Sequence, residues 1–205
     1  MQKTKPAGLL AAGALLLAAM SAGSAHAASD FMAIGDRTSQ PVGHYEFCQR
    51  KPDECGPTAS EEKMVPLTRE LWAKMVEVNN AVNTTVIPRT DTESWGIKEY
   101  WSFPDLYGDC EDFVLEKRRL LMAAGVPASS LLITVVRQPN GDGHAVLTVS
   151  TNMGDFILDN LEPRILAWSE TEYQYLKRQS ARHAGEWTAV NDGRAVAVAS
   201  VGSER

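Results

Sequence analysis

Between Thr68 and about Val82 the apolar residues Leu71, Trp72, Met75, Val78 and Val82 return at three- and four-residue intervals, which predicts an amphipathic helix. Pro88 and the polar run Arg89-Thr90-Asp91-Thr92 end it. Trp95, Tyr100, Trp101 and Phe103 then form an aromatic cluster before Pro104, read first as packing. A second helix is expected from Asp109, a good N-cap, with Asp112 three positions on in the manner of a capping box. Phe113, Val114, Leu120, Leu121 and Ala124 give it an apolar face, and Gly125 with Pro127 stops it.

Beyond this point the pattern changes to strands. Leu131 to Val136 is a short apolar run rich in Val and Ile, followed by the turn Gln138-Pro139-Asn140-Gly141-Asp142-Gly143. Ala145 to Ser150 returns, Asn152-Met153-Gly154-Asp155 turns again, and Phe156 to Asp159 is a third strand. Glu170 to Arg178 reads as a short helix or a polar loop, and Trp187 to Val201 offers a further strand. Helices followed by an antiparallel meander predict an α+β fold with the second helix packed on the sheet.

The first 27 residues carry a different signal. Lys3 and Lys5 precede an apolar stretch from Gly8 to Ala19, and Ala25-His26-Ala27 is a small-residue cleavage site. This is the layout of a secretory signal peptide, residues 1–27, and it predicts export, with the periplasm as the compartment. An uncleaved anchor would need about 20 apolar residues, more than this stretch supplies. No other stretch is suited to membrane insertion. The whole chain has a formal net charge of −6, and loss of the signal removes two lysines and no acid. That balance excludes a nucleic-acid or anionic-membrane partner, since both select basic patches.

Residues 28–60 are rich in Gly, Pro and polar side chains and read as an irregular arm, leaving 61–205 as the main domain. The arm holds Cys48 and Cys55, and an oxidising compartment with a short intervening loop favours a Cys48–Cys55 disulfide. A zinc site using His44 and the same two cysteines lacks a fourth ligand, and pairing of either with Cys110 stays open by counting. With the local pair preferred, Cys110 is the odd thiol.

Cys110 is placed in the first helical turn, where free backbone N–H groups and the helix dipole favour a thiolate. His144 opens the second strand and Asp159 closes the third, so neighbouring antiparallel strands can set imidazole and carboxylate behind the thiol. Such a nucleophile, base and orienter serve covalent catalysis, with the backbone N–H of Cys110 as an oxyanion donor. Each residue alone also has a bland role, as a small core thiol, a turn histidine or a strand-ending Asp-Asn pair. Their order along the chain favours the chemical reading. Arg118 and Arg119 fall on a charged helix face and are expected in solvent, as is His183, while His44 belongs to the arm.

The runs Trp95-Gly96, Tyr100-Trp101, Gly108-Asp109-Cys110-Glu111-Asp112-Phe113, Gly125-Val126-Pro127, Gly143-His144-Ala145-Val146-Leu147 and Leu158-Asp159-Asn160-Leu161 resemble the bacterial transglutaminase-like cysteine proteinases. The likeness extends from about Phe47 to Trp187. It implies a papain-like thiol hydrolase in a transglutaminase-like fold, with Cys110, His144 and Asp159 as catalytic triad. It also implies a protein substrate such as a surface adhesin and, by analogy, a regulatory receptor at the inner membrane.

Asp109, Glu111 and Asp112 complement the positive helix end, yet they crowd the thiol with like charge and disfavour its anion. A bound divalent cation removes that conflict, and oxygen-only donors favour Ca2+. The resemblance implies the same site at these acidic residues. Acyl transfer to an amine (a transglutaminase or deamidase) and a non-catalytic binding module are the alternative functions that the residues leave open.

Overall fold

The computed structural model describes Met1 and residues 30–58 and 64–193; the expected signal peptide lies outside the described residues. In chain order the elements are β1 (Ile34–Thr38), α1 (Val42–Arg50), α2 (Arg69–Thr85), β2 (Ile87–Pro88), α3 (Asp91–Trp95), β3 (Tyr107–Gly108) and α4 (Cys110–Ala123). They continue with β4 (Leu131–Arg137), β5 (Gly143–Thr151), β6 (Gly154–Leu158), β7 (Leu166–Ala167), β8 (Gln174–Ser180) and β9 (His183–Val190). Seven strands form one antiparallel sheet in the order β1-β9-β8-β4-β5-β6-β7, and β2 and β3 make a small parallel pair. The fold is α+β, as expected, with α4 packed against β4 and β5.

The pattern along β5 shows how the core is divided. Ala145, Leu147 and Val149 join α2 and α4 residues such as Met75, Val82, Phe113 and Leu121 in the larger apolar cluster. Val146 joins Ile157, Tyr175 and Val190 in a smaller one. Successive side chains of a strand point to opposite faces, so this sheet is covered on both. α4 stops where expected: Gly125 takes φ +91°, a conformation glycine accepts at little cost.

The arm is not irregular: β1 pairs with β9, and α1 buries Phe47 and His44. The Gly, Pro and polar content there marks an edge strand and tight connections rather than loose chain. The segment around Glu170 to Arg178 contains β8, an interior strand between β9 and β4. Its polar composition hid it, because only Tyr175 and Gln179 are fully buried. Arg118 is buried rather than solvated. Its Nε donates to the Leu131 carbonyl oxygen at 3.2 Å, and its guanidinium meets Glu54 at 3.4 Å. Arg119 is exposed, as expected.

The Cys48–Cys55 disulfide is present, which excludes the zinc alternative at those sulfurs. His183 also differs from expectation, since it is partly buried at the start of β9 and its Nδ1 accepts the Gly185 N–H at 3.1 Å. Among the described residues no helix is long and apolar enough to cross a membrane.

Candidate active site

Cys110 is the first residue of α4, half-buried and free of any disulfide. It reaches β5, where the Ala145 backbone N–H points at its thiol. His144, next along the strand, is buried, and its Nε2 lies 2.8 Å from Asp159 Oδ1. Nε2 is thereby committed to the carboxylate, and Nδ1 is the ring nitrogen left for a proton from elsewhere.

Asp159 immediately follows β6 and is held on every side. Oδ1 also accepts the Leu161 N–H at 3.0 Å, and Oδ2 accepts the Tyr173 hydroxyl at 2.5 Å. The Asp159 carbonyl oxygen accepts from Asn83 of α2 at 2.8 Å. Burial alone would push this carboxyl up. The His144 ring and the N–H and O–H donors outweigh it and hold Asp159 below the usual carboxylate range. Tyr173 additionally packs its ring edge-on against His144, with centroids 5.5 Å apart.

The acidic side of Cys110 is arranged differently. Asp109 occupies the N-cap but makes no side-chain cap; its Oδ2 instead accepts the Asp91 N–H at 3.2 Å. Nor does Asp112 close the expected capping box. Its Oδ1 accepts the Ser102 N–H at 2.7 Å, and its side chain packs so closely over Gly108 that a Cβ there would lie 2.7 Å from it. Both acids are turned to the segment crossing in front of α4, because that segment carries otherwise unmatched N–H groups. The Cys110 thiol donates to Glu111 Oε2 at 3.1 Å.

The four acids do not act as one group. Asp91, Asp109 and Glu111 each offer an oxygen within 4.8 Å of the others, and Asp109 Oδ1 is buried with no hydrogen-bond partner among the described residues. Asp112 is outside that trio. Sequence reasoning missed Asp91 because it reads as part of a helix-ending polar run. Its only local signal is Thr90, which caps α3 with Glu93 and so turns Asp91 inward.

Burial, then the charge of Asp109, push the Glu111 carboxyl well up. Burial likewise takes Asp112 to about 8, against the Ser102 N–H, and raises Asp91. Cys110 is driven well above the usual thiol range, first by burial and then by the charge and hydrogen bond of Glu111. The helix N-terminus therefore does not by itself produce a thiolate here. An oxygen-only trio with an orphaned buried oxygen fits a hard divalent cation such as Ca2+.

The aromatic cluster splits. Trp101 is buried in the core, and its indole N–H is spent on Glu99 at 3.2 Å. Trp95 is exposed and packs at a tilt against the Tyr100 ring.

A thiol at a helix N-terminus, facing a strand whose buried histidine is locked to a carboxylate, defines the thiol-hydrolase class of α+β proteins. The sequence pattern of the bacterial transglutaminase-like cysteine proteinases matches residues 34–195, and the chain belongs to that family. It is accordingly a cysteine peptidase. Among solved structures, calcium-bound LapG of Legionella pneumophila is similar at 30% identity and a TM-score of 0.51, covering 58% of this chain and 69% of that one. An EGTA-treated form of the same protein is similar at 31% identity and a TM-score of 0.50, covering 58% and 67%. No curated protein sequence matches.

Proposed function

We propose that the chain is an exported, periplasmic endopeptidase that cleaves a protein through Cys110, His144 and Asp159. The buried His144–Asp159 pair, one residue along β5 from the Ala145 N–H that faces the thiol, is the observation that carries this reading. His144 Nδ1 takes the thiol proton, Cys110 Sγ attacks the scissile carbonyl carbon, and the resulting oxyanion meets the Cys110 backbone N–H. The imidazolium then protonates the leaving amine, the amine departs, and an acyl-enzyme remains. Water, deprotonated by His144, releases the acyl group and restores the thiol. Asp159 stays ionised throughout, holding the ring in one orientation.

Asp91, Asp109 and Glu111 would hold Ca2+, the ion bound by the similar LapG structure. Bound there, the cation offsets the carboxylate charge that otherwise disfavours the thiolate. Asp112 supports this site by fixing the Ser102 backbone rather than by ligation.

The test is a comparison of exported proteins from cells carrying wild type or Cys110→Ala. New protein termini present only with wild type are expected. Their absence, or incorporation of a labelled amine in place of cleavage, would replace proteolysis with acyl transfer.

A further inference from the structure

Lys117 lies two turns along α4 from Cys110, fully buried, and its Nζ has no hydrogen-bond partner among the described residues. An isolated ammonium in such a place is expensive, and a leucine would fill the space more cheaply. Three acceptors on the neighbouring elements are equally orphaned among the described residues. Asn79 and Asn83 stand one turn apart on α2, which packs against α4. Their amide nitrogens fasten α2 to the Pro163 and Asp159 carbonyl oxygens, leaving both Oδ1 atoms buried and unpartnered. Asn160 Oδ1, beside Asp159, is buried and unpartnered too. Three N–H donors without acceptors and three carbonyl acceptors without donors are groups that enclosed water can join.

We propose that Lys117 is a positioning residue, its ammonium linked through buried water to Asn79, Asn83 and Asn160 and facing the Asp159 carboxylate from α4. The proposal rests on the reading that His144 and Asp159 work as a pair. Lys117 then fixes the loop that presents Asp159 and supplies a positive charge that tempers the carboxylate's hold on the imidazole. The other charged or titratable groups around the pair are Cys110 and Glu111 on α4, Tyr173 before β8 and Glu162 after β6; α2 contributes only the two amides. Burial lowers the Lys117 amine to about 7, and Asp159 pulls it back up. A packing role alone, with the amine passive 6.0 Å from the Phe113 ring centroid, is the competing explanation.

NMR of the full-length protein with 13C-labelled lysine and aspartate separates the two. In wild type the Lys117 Cε resonance is expected to titrate near 7, with the same step visible in the Asp159 carboxyl resonance. Asp159→Asn moves the Lys117 step lower. In Lys117→Met, kcat falls about tenfold with KM within about twofold, and its pH dependence changes between about pH 6 and 8. A Lys117 titration at the ordinary lysine value, or one not felt by Asp159, overturns the proposal. So does a loss of kcat that is equal at every pH. If Lys117→Met does not fold, Lys117→Gln and the wild-type spectra decide. The spectra need no turnover, so failure of the peptidase reading appears separately, as inactive wild type.

Discussion

Two histidines in this molecule are about equally buried, and only one of them is equipped to move a proton. His44 is 1% exposed and His144 is 5% exposed. His44 sits among aromatic rings, with Trp101 and Trp187 at 5.1 and 5.3 Å and the Cys48–Cys55 sulfurs within 4.0 Å. Its Nδ1 accepts the Trp187 indole N–H at 3.2 Å, and among the described residues no carboxylate is paired with it. Burial, then the Arg118 charge, lower it to about 3, so it is neutral at any physiological pH. His144 instead has Asp159 on one nitrogen and the thiol's neighbourhood before it. Burial does not distinguish a structural from a chemical histidine; the charge of the nearest fixed group does.

The largest break in this comparison is mutational. Asp159→Asn is expected to lower kcat about 10³- to 10⁴-fold while the protein stays folded, because the ring loses its fixed tautomer. His44→Ala should do the reverse, costing about 2–4 kcal/mol of stability through lost packing and unpaired donors, with kcat little changed. Circular dichroism melts and single-turnover kinetics on both variants check the pair. Equal catalytic loss in the two would end the distinction.

Chelation comes next in size. If a cation offsets Glu111 and Asp109, removing it returns the thiol to its unfavourable setting, where burial and the Glu111 charge disfavour the thiolate. EGTA should therefore slow alkylation and peptidase activity together, and added Ca2+ should restore both. Asp91→Asn is expected to weaken calcium binding at least tenfold, by calorimetry, through loss of a ligand. Asp112→Asn should leave the affinity nearly unchanged. The reverse result would return the site to the three residues nearest the thiol in sequence.

That contrast between Asp91 and Asp112 marks how far the chain was legible. The placement of Cys110, His144 and Asp159 was readable because each sits at an element boundary that turn and cap residues announce locally. The helices and the β4–β5–β6 meander were readable for the same reason. Asp91 was not, since its approach to Asp109 depends on the crossing of α3 in front of α4. β1 and β8 escaped because strands with few buried positions carry little hydrophobic alternation. Arg118 escaped because its partners, Leu131 and Glu54, are supplied by other elements.

Acid sensitivity offers a further test on the structural histidine. Folded His44 stays neutral down to about 3, whereas an unfolded histidine protonates near 6.5. The unfolded state therefore binds more protons between these values, and stability must rise with pH across this window. At fixed temperature, up to a few kcal/mol present above about pH 6.5 is lost as pH falls toward about 3. His44→Gln removes that contribution, so its midpoint plotted against pH should be flatter than that of wild type below about pH 6.5. Parallel curves would assign the acid response to other groups.

The smallest effect expected is at Tyr173, and it sharpens the catalytic side of the comparison. Tyr173→Phe keeps the ring edge against His144 and removes only the hydroxyl that binds Asp159 Oδ2. Asp159 retains the His144 and Leu161 bonds to Oδ1, so the pair should survive. One hydrogen bond to a charged group contributes about 1.5–3 kcal/mol, and water reaching the half-buried position would recover part of it. The expected result is a fall in kcat of about tenfold or less with KM unchanged, measured in steady state. A fall as deep as that of Asp159→Asn would mean that the hydroxyl, rather than the imidazole, holds the carboxylate in place.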